Sequence, residues 1–241
     1  ATEHPAPPPS RTMPTFPGFP KTTRKFLRQL EANNDREWFQ EHKDEYETHV
    51  VAPCLAFIES MATPLRSISS AFLATPKKSG GSLMRIHRDT RFSMDKAPYK
   101  TNIGIQFRHA EGKDVHAPGY YVHIEANEVF LGAGMWHPDS KPLAAIRQRI
   151  ATDAPAWKRV TQAAAFQKLL ALEGDELKRP PRGMDPDHPL IEDLKRKDFM
   201  VVRRFDPKAV EDSSFTKEVL ATFKASKNFM GFLCDSLGIA F

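Results

Sequence analysis

The sequence has few of the features that identify secreted, membrane-spanning or disulfide-stabilised proteins. Its 241 residues include two cysteines, Cys54 and Cys234, which are too few and too far apart for a disulfide framework. No apolar run approaches the roughly 18–20 residues that cross a bilayer. Residues 1–20 lack the basic start and apolar stretch of a secretory signal. These absences predict a soluble protein of the cytoplasm with two buried thiols and no membrane partner.

Common nucleotide-binding and nucleophile motifs are absent as well. The chain has no Gly-x-Gly-x-x-Gly fingerprint, no phosphate-binding loop, no Gly-x-Ser-x-Gly elbow and no paired CxxC motifs. No cofactor is therefore expected.

Histidine spacing gives a weak indication of a metal centre. His87-Arg-Asp89 and His123-Ile-Glu125 are His-x-carboxylate pairs, and His137 follows, as in the facial triads that bind iron. Nine histidines make such spacings frequent, however, and Arg88 and Arg91 compete for the oxygens of Asp89. No metal is predicted.

The composition is that of an ordinary globular chain, with 40% hydrophobic and 27% charged residues and a mildly basic net charge of +5. Residues 1–20 contain seven prolines and little apolar sequence, which predicts a disordered, polyproline-prone tail. Residues 21–241 show no repeat and no internal boundary, so they are expected to form a single domain.

Hydrophobic periodicity changes from helical to two-residue spacing in the middle of the chain and then changes back. The fold class expected from this order is α+β, with an antiparallel sheet covered by N- and C-terminal helices. The predicted strands cover Leu83–Arg88, Thr101–His109, Gly119–Ala126, Val129–Trp136 and Phe199–Phe205. The third and fourth of these are expected to pair as a hairpin across the short turn at Asn127.

Several helices are predicted with specific ends. Asn34 followed by Glu37 resembles a capping box at the start of a helix. The later helical segments are predicted at Trp157–Leu172, at His188–Lys197 and from about Ser214 to Leu237.

A basic segment, residues 85–100, connects two predicted strands and is called loop 1 below. It carries five cations and two carboxylates, Asp89 and Asp95, so positive charge is left over. Arginine and lysine in excess suit an anion-binding site. The alternative is a surface network in which Asp89 pairs with Arg91 and Asp95 with Lys96. The charge pattern alone does not separate these interpretations.

Loop 1 also carries a recognisable motif. The pattern Arg-x-x-Arg-Asp-Thr-Arg-Phe, followed by Asp-Lys-x-Pro-Tyr-Lys, matches residues 85–92 and 95–100. In this the chain resembles the uncharacterised domain-of-unknown-function family 2461. The resemblance extends to Asn33-Asn34, Gly119-Tyr120-Tyr121 and a second basic loop. It implies that the two basic loops belong together, and it implies no activity.

That second basic loop, residues 177–189, is called loop 2. Four prolines stiffen it, which lowers the entropic cost of holding Lys178, Arg182 and His188 in place. We predict that loops 1 and 2 converge on one pocket lined by Tyr121.

Three classes of function remain, and the first is preferred: binding of a small anionic or phosphorylated ligand, with or without turnover. The second is association with nucleic acid, which is disfavoured because no helix with a basic face is recognised. The third is a non-catalytic interaction module with a structural Arg/Asp network. The candidate acid/base residues are Asp89, Asp95, Tyr121 and His188. The candidate ligand-binding residues are Arg85, Arg88, Arg91, Lys96, Tyr99, Lys100, Lys178 and Arg182.

Overall fold

A computed structural model describes residues 15–91, 93–112 and 117–241. Most of the predicted tail, residues 1–14, lies outside the described residues, and so does Phe92 of the loop 1 motif. In the described part of the chain, no helix combines the length and the apolar character needed to cross a membrane.

Helices occupy both ends of the chain and strands its centre. The N-terminal part comprises α1 (Lys21–Ala32), α2 (Arg36–Glu41), α3 (Lys43–Tyr46), a π-helical turn (Glu47–Val51) and α4 (Ala52–Ile68). The centre comprises β1 (Ile103–Arg108), β2 (Gly119–Ile124) and β3 (Val129–Met135). The remainder comprises α5 (Ser140–Thr152), α6 (Ala154–Thr161), α7 (Ala164–Leu169), β4 (Ala171–Glu173), α8 (Ile191–Leu194), β5 (Phe199–Phe205), a 3-10 helix (Pro207–Glu211), α9 (Phe215–Ala225) and α10 (Lys227–Leu237).

The strands of the described residues form one antiparallel sheet in the order β1-β2-β3-β5-β4. The predicted α+β class and antiparallel sheet are confirmed. β2 and β3 form the predicted hairpin, whose turn is closed by the Glu125 N–H donating to the Glu128 carbonyl. β5 lies inside the sheet, between β3 and the short edge strand β4. The sequence did not indicate β4.

One face of the sheet is covered by helices. Alternate residues of the strands point to this covered face, as the two-residue period requires. The rings of Phe107 and Tyr120 contact Phe223 of α9, with centroids 6.0 and 4.5 Å apart. Phe16 and Phe19 are buried in the same core. Core packing therefore already begins at Phe16, within the last five residues of the predicted tail.

Two predicted elements are interrupted by local hydrogen bonding or by weak pairing. The segment from Leu83 to Arg88 is not a continuous strand; it pairs through isolated bridges, Leu83 with Ile105 and His87 with Tyr99. The long C-terminal helix is divided at Ser226, whose buried hydroxyl donates to the Phe223 carbonyl. A serine hydroxyl that bonds the preceding turn competes with regular helix geometry.

The other predicted helices are shorter than expected. Residues 157–172 divide into the end of α6, then α7 and then β4. The helix predicted at 188–197 is reduced to the single turn of α8.

Asn34 has a different role from the predicted cap. The α2 cap is Asp35, whose carboxylate accepts from the Trp38 N–H at 2.9 Å. Asn34 instead makes two hydrogen bonds to the backbone of Tyr99: its amide donates to the carbonyl at 2.9 Å and accepts from the N–H at 3.1 Å. This contact fixes the C-terminal end of loop 1 to the N-terminal helices.

Candidate functional site: a pocket on the open face of the sheet

The face of the sheet opposite the helices, called the open face, carries a pocket of about 290 Å³. Strand register places Gln106, Tyr121, Gly132 and Val202 side by side across β1, β2, β3 and β5. Glycines leave the backbone of β2 and β3 uncovered, and larger side chains stand around them. The lining residues include Met84, Gln106, Gly119, Tyr121, His123, Phe130, Gly132, Gly134, Trp136 and Met200.

Gly132 is the glycine whose replacement tests this pocket most cleanly. A Cβ atom at Gly132 would meet its nearest neighbour, Tyr121 Cβ, at 3.7 Å, which is ordinary van der Waals contact. The backbone therefore tolerates a side chain here. Such a side chain would occupy the pocket, so the absence of a side chain at position 132 contributes directly to the open volume.

A chain of hydrogen bonds forms the polar wall of the pocket. His123 Nε2 lies 3.1 Å from a carboxylate oxygen of Glu125, and His123 Nδ1 lies 3.2 Å from the Tyr121 hydroxyl. The imidazole stacks on Phe130 with ring centroids 4.4 Å apart, which fixes its plane. If Nε2–H donates to Glu125, then Nδ1 is the acceptor and the Tyr121 hydroxyl donates to it.

The surroundings of these hydrogen bonds keep the His123 imidazole and the Tyr121 phenol neutral near pH 7. Burial lowers the pKa of His123, and the nearby Glu125 opposes this effect without reversing it. Burial and then the Glu125 charge raise the pKa of Tyr121 to about 12. The neutral imidazole can therefore accept a proton from Tyr121 when that hydroxyl accepts one from a bound molecule.

The same histidine belongs to a group that could hold a cation. Ligand atoms of His123, Glu125 and Glu128 lie within 4.8 Å of one another. Two features oppose a metal: Nε2 already faces Glu125, and Arg204 Nε lies 3.8 Å from Glu128. The His87, Asp89 and His137 spacing does not form a triad, because among the described residues His137 contacts Asp198, and Asp89 contacts Arg91.

Three of the six predicted ligand-binding side chains of loop 1 bind other parts of the loop. The Arg91 guanidinium donates twice to Asp89, at 2.9 and 2.7 Å, and Arg88 pairs with Asp95. The Lys96 ammonium donates to the Thr90 carbonyl at 3.0 Å. Predicted pairing of Asp89 with Arg91 is confirmed, whereas Asp95 pairs with Arg88 and not with Lys96.

These contacts also bear on the two loop carboxylates as acid/base candidates. Hydrogen bonds from Arg91 lower the pKa of Asp89 to about 2. The Ala97 N–H and then Arg88 lower the pKa of Asp95. Both carboxylates are therefore ionised at neutral pH and occupied by donors, which suits a structural role better than proton transfer.

Tyr99 anchors loop 1 to the core of the protein. It is buried, its ring stacks on Phe39 with centroids 4.1 Å apart, and its backbone is held by Asn34. The sequence did not indicate that the ring of Tyr99 packs in the core.

Arg85 and Lys100 differ from the other cations of loop 1. Burial and then the proximity of Arg85 lower the pKa of Lys100. Among the described residues, neither side chain forms an ion pair within 4.0 Å of a carboxylate. Lys100 N–H donates to the Ile86 carbonyl, and Met84, the residue before Arg85, lines the pocket. Arg85 and Lys100 themselves are not among the residues that line the pocket.

Loop 2 begins at the opposite edge of the sheet. Loop 1 follows the segment that is hydrogen-bonded to β1, whereas loop 2 follows β4. Four interstrand distances, about 19 Å in all, separate β1 from β4 in the sheet. His188 holds loop 2 against α5, because its ring nitrogen Nε2 lies 3.4 Å from the Ala151 carbonyl oxygen, at hydrogen-bonding distance. Lys178 and Arg182 are exposed. The topology gives no support to a pocket shared by the two loops, and no loop 2 residue lines the open-face pocket in the described part of the chain.

The sequence indicated Tyr121 but missed its partners in the pocket. His123 and Glu125 follow Tyr121 at two-residue spacing, so all three share one side of an extended segment. That signal was interpreted only as a metal pattern. The sequence analysis also did not recognise a group of cations on α1: the side of this helix that faces the 3-10 helix carries Lys21, Arg24, Lys25 and Arg28.

Comparison with protein families gives one assignment. Residues 22–232 match the family described as "Conserved hypothetical protein (DUF2461)". The chain belongs to this family. A comparison with curated proteins finds no match. The resemblance carried by loop 1 thus extends over most of the chain, including the pocket, and it assigns no chemistry to it.

Proposed function

We propose that this protein binds a small anionic molecule whose apolar body lies in the open-face pocket. The observation that carries the proposal is the pocket itself, which combines aromatic and methionine walls with a few polar groups at one side. Pockets of about 300 Å³ and larger with this mixture are the usual form of small-molecule sites. Phe130, Trp136 and Met200 would contact the apolar body, while Tyr121 and Gln106 would orient it.

The anionic group would be held where loop 1 meets β1. Lys100 is partly buried beside Arg85, and the two cations repel each other. Asp89, the carboxylate whose pKa Arg85 helps to lower, is already hydrogen-bonded by Arg91. A carboxylate or phosphate on the ligand would relieve that repulsion and would raise the pKa of Lys100 back toward its usual range. Arg88, Arg91 and Lys96 would then act indirectly, since their contacts within loop 1 keep Arg85 and Lys100 in place.

The proposal is tested by a thermal-shift screen of aromatic carboxylates, aliphatic carboxylates and phosphate monoesters, followed by calorimetric titration of the hits. Gly132→Val should abolish binding because its side chain fills the pocket. Gly231→Val is the matched control, since a Cβ there meets only the Phe241 ring at 3.9 Å on a different surface. Equal affinity of the Gly132→Val variant and the wild type would exclude the open-face pocket.

A second pair of variants tests the charge. Lys100→Ala should weaken binding of anionic hits at least tenfold and leave neutral analogues unaffected. Arg182→Ala removes one exposed cation from loop 2 and should leave both unchanged. If Arg182→Ala weakened binding as much as Lys100→Ala, the shared site of the two loops would be restored.

Turnover is a second candidate, favoured by the hydrogen-bond chain. Tyr121 would take a proton from the ligand while its own proton passes to His123 Nδ1, and Glu125 would stabilise the imidazolium. Nuclear magnetic resonance can follow deuterium exchange into a screened hit in heavy water. Exchange that is lost in His123→Gln while binding persists would support proton abstraction, and exchange that is unchanged in that variant would exclude it.

A further inference from the structure

A second concave surface lies between α1 and the 3-10 helix and has a charge pattern unlike that of loop 1. This surface, called the basic cleft, has a volume of about 320 Å³. Its six lining residues are Lys21, Arg24, Lys25, Arg28, Lys208 and Glu211. The four cations of α1 are spaced at i, i+3, i+4 and i+7, so the helix presents them on one side.

The single carboxylate of the basic cleft is already occupied. Arg24 is 11% exposed and donates to Glu211 at 2.8 Å, and its guanidinium also donates to the Ala126 carbonyl at 2.8 and 3.2 Å. Arg24 and Glu211 thus form the base of the cleft and join α1 to the β2–β3 turn.

The other four cations lack such a partner. Among the described residues, Lys21, Lys25, Arg28 and Lys208 form no ion pair with a carboxylate. Lys21 and Lys25 are like charges at i,i+4, which destabilises a helix, and Lys21 lies in the first turn, where the helix dipole also disfavours a cation. An anion bound in the cleft would offset both the repulsion between Lys21 and Lys25 and the unfavourable interaction of Lys21 with the helix dipole.

We propose that the basic cleft binds a compact polyphosphate group, that is, two or more adjacent phosphates. Lys21 and Arg28 are about 10 Å apart along the helix axis, which matches two or three linked phosphates. Lys208 approaches from the other side, so the cations surround a volume instead of following a strip. A concave arrangement of this kind favours a compact group over the backbone of an extended nucleic acid. This site does not depend on the open-face pocket.

The test is calorimetric titration of the full chain with tripolyphosphate, pyrophosphate and inorganic phosphate at about 0.1 M salt. We expect affinity to rise in the order phosphate, pyrophosphate, tripolyphosphate. The double variant Lys21→Gln/Lys25→Gln should weaken tripolyphosphate binding at least tenfold, and Lys208→Gln should weaken it several-fold. All three side chains are exposed, so thermal midpoints should stay close to that of the wild type.

The matched control removes the same charge elsewhere. Lys217→Gln/Lys224→Gln changes two exposed lysines of α9 and should leave tripolyphosphate affinity unchanged. Equal losses in the two double variants would show a general charge effect and overturn the proposal, as would no binding of tripolyphosphate by the wild type. Gly132→Val should leave tripolyphosphate binding intact, which separates this result from the test of the open-face pocket.

Two further probes distinguish the source of the phosphates. A single-stranded 20-mer of DNA and vesicles containing phosphatidylserine offer phosphate in extended and planar arrangements. The 20-mer could bind more tightly than tripolyphosphate, with an affinity that falls by about 0.7 log units per log unit of salt for each phosphate contacted. That result would overturn the proposal and assign the cleft to a nucleic-acid strand. Vesicle binding lost in Lys21→Gln/Lys25→Gln, without tripolyphosphate binding, would assign the cleft to a membrane surface.

Discussion

The two faces of the central sheet show how one set of strands can produce both a core and a site. On the covered face, Tyr120 and Phe107 pack on Phe223 of α9, and little solvent reaches them. On the open face, the adjacent residue Tyr121 stands beside Gly132 and points into a pocket. The alternation of side chains along a strand is the same for both faces. The difference is what lies opposite: helices fill one side, and glycines leave the other open.

A second comparison, between loop 1 and the basic cleft, separates paired charge from unpaired charge. Loop 1 is the richest basic segment of the sequence, yet Arg88 and Arg91 are neutralised by carboxylates within the loop. The basic cleft is less conspicuous in the sequence, yet four of its five cations have no such partner among the described residues. Excess charge binds a ligand only where the fold leaves it unpaired.

The largest expected difference between the faces is in packing. Phe223→Ala should lower the free energy of unfolding by about 3–5 kcal/mol, because a fully buried ring leaves a cavity. Phe130→Ala, on the half-exposed open face, should cost about 1–2 kcal/mol, because less apolar area leaves water there on folding. Urea denaturation followed by circular dichroism measures both values. Similar losses for the two variants would mean that the open face is packed like the core.

The next difference lies within the open face, between two of its glycines. Gly134 has a φ of +132°, and a Cβ there would lie 2.1 Å from the Phe199 carbonyl oxygen. Gly134→Ala should therefore cost at least about 2 kcal/mol through backbone strain and collision. Gly132→Ala should change stability by less than about 1 kcal/mol, because an added Cβ has room. Thermal unfolding of the two variants provides the measurement, and a stable Gly134→Ala protein would contradict the described backbone.

The sequence was sufficient for the parts of the fold that depend on local periodicity. Alternation in residues 101–109 and 119–126 predicted β1 and β2, and the short turn at Asn127 predicted the hairpin. It was insufficient where distant residues decide the structure. Asn34 was predicted to cap a helix, but its amide bonds Tyr99, 65 positions away. The start of loops 1 and 2 at opposite edges of the sheet depends in the same way on strand order, which no local pattern encodes.

The pH dependence of stability should separate the pocket from the core. Burial lowers the pKa of His123 in the folded state, so below its unfolded value of about 6.5 the unfolded chain binds protons more readily. Stability should be highest above that pH and should fall as the pH decreases toward the folded pKa. Glu125 and Glu128 face the ring and limit the size of the effect.

Chemical denaturation between pH 7 and pH 5 tests this expectation, with His123→Gln as the variant that cannot titrate. The wild type should lose more stability than His123→Gln over this range. His49→Gln, on the π-helical turn, is the control for removal of a histidine elsewhere. If the His123→Gln and wild-type curves ran parallel, His123 would not be held neutral by the pocket.

The smallest expected effect compares the adjacent tyrosines of β2, which differ only in the face they occupy. In the described part of the chain, the Tyr120 hydroxyl is buried without a hydrogen-bond partner, whereas the Tyr121 hydroxyl lies at hydrogen-bonding distance, 3.2 Å, from His123 Nδ1. A buried hydroxyl without a partner costs roughly 1–3 kcal/mol relative to its state in water. Tyr120→Phe should therefore leave the free energy of unfolding unchanged or raise it by up to about 1 kcal/mol. Tyr121→Phe removes a satisfied hydrogen bond and should lower it by about 1 kcal/mol. Urea titrations measure the change in the free energy of unfolding for each variant. Changes of opposite sign would confirm that the tyrosine hydroxyl is unfavourable on the covered face and favourable on the open face. A loss of stability in Tyr120→Phe as large as that in Tyr121→Phe would instead show that its hydroxyl has a partner, such as an internal water molecule, between the sheet and α9.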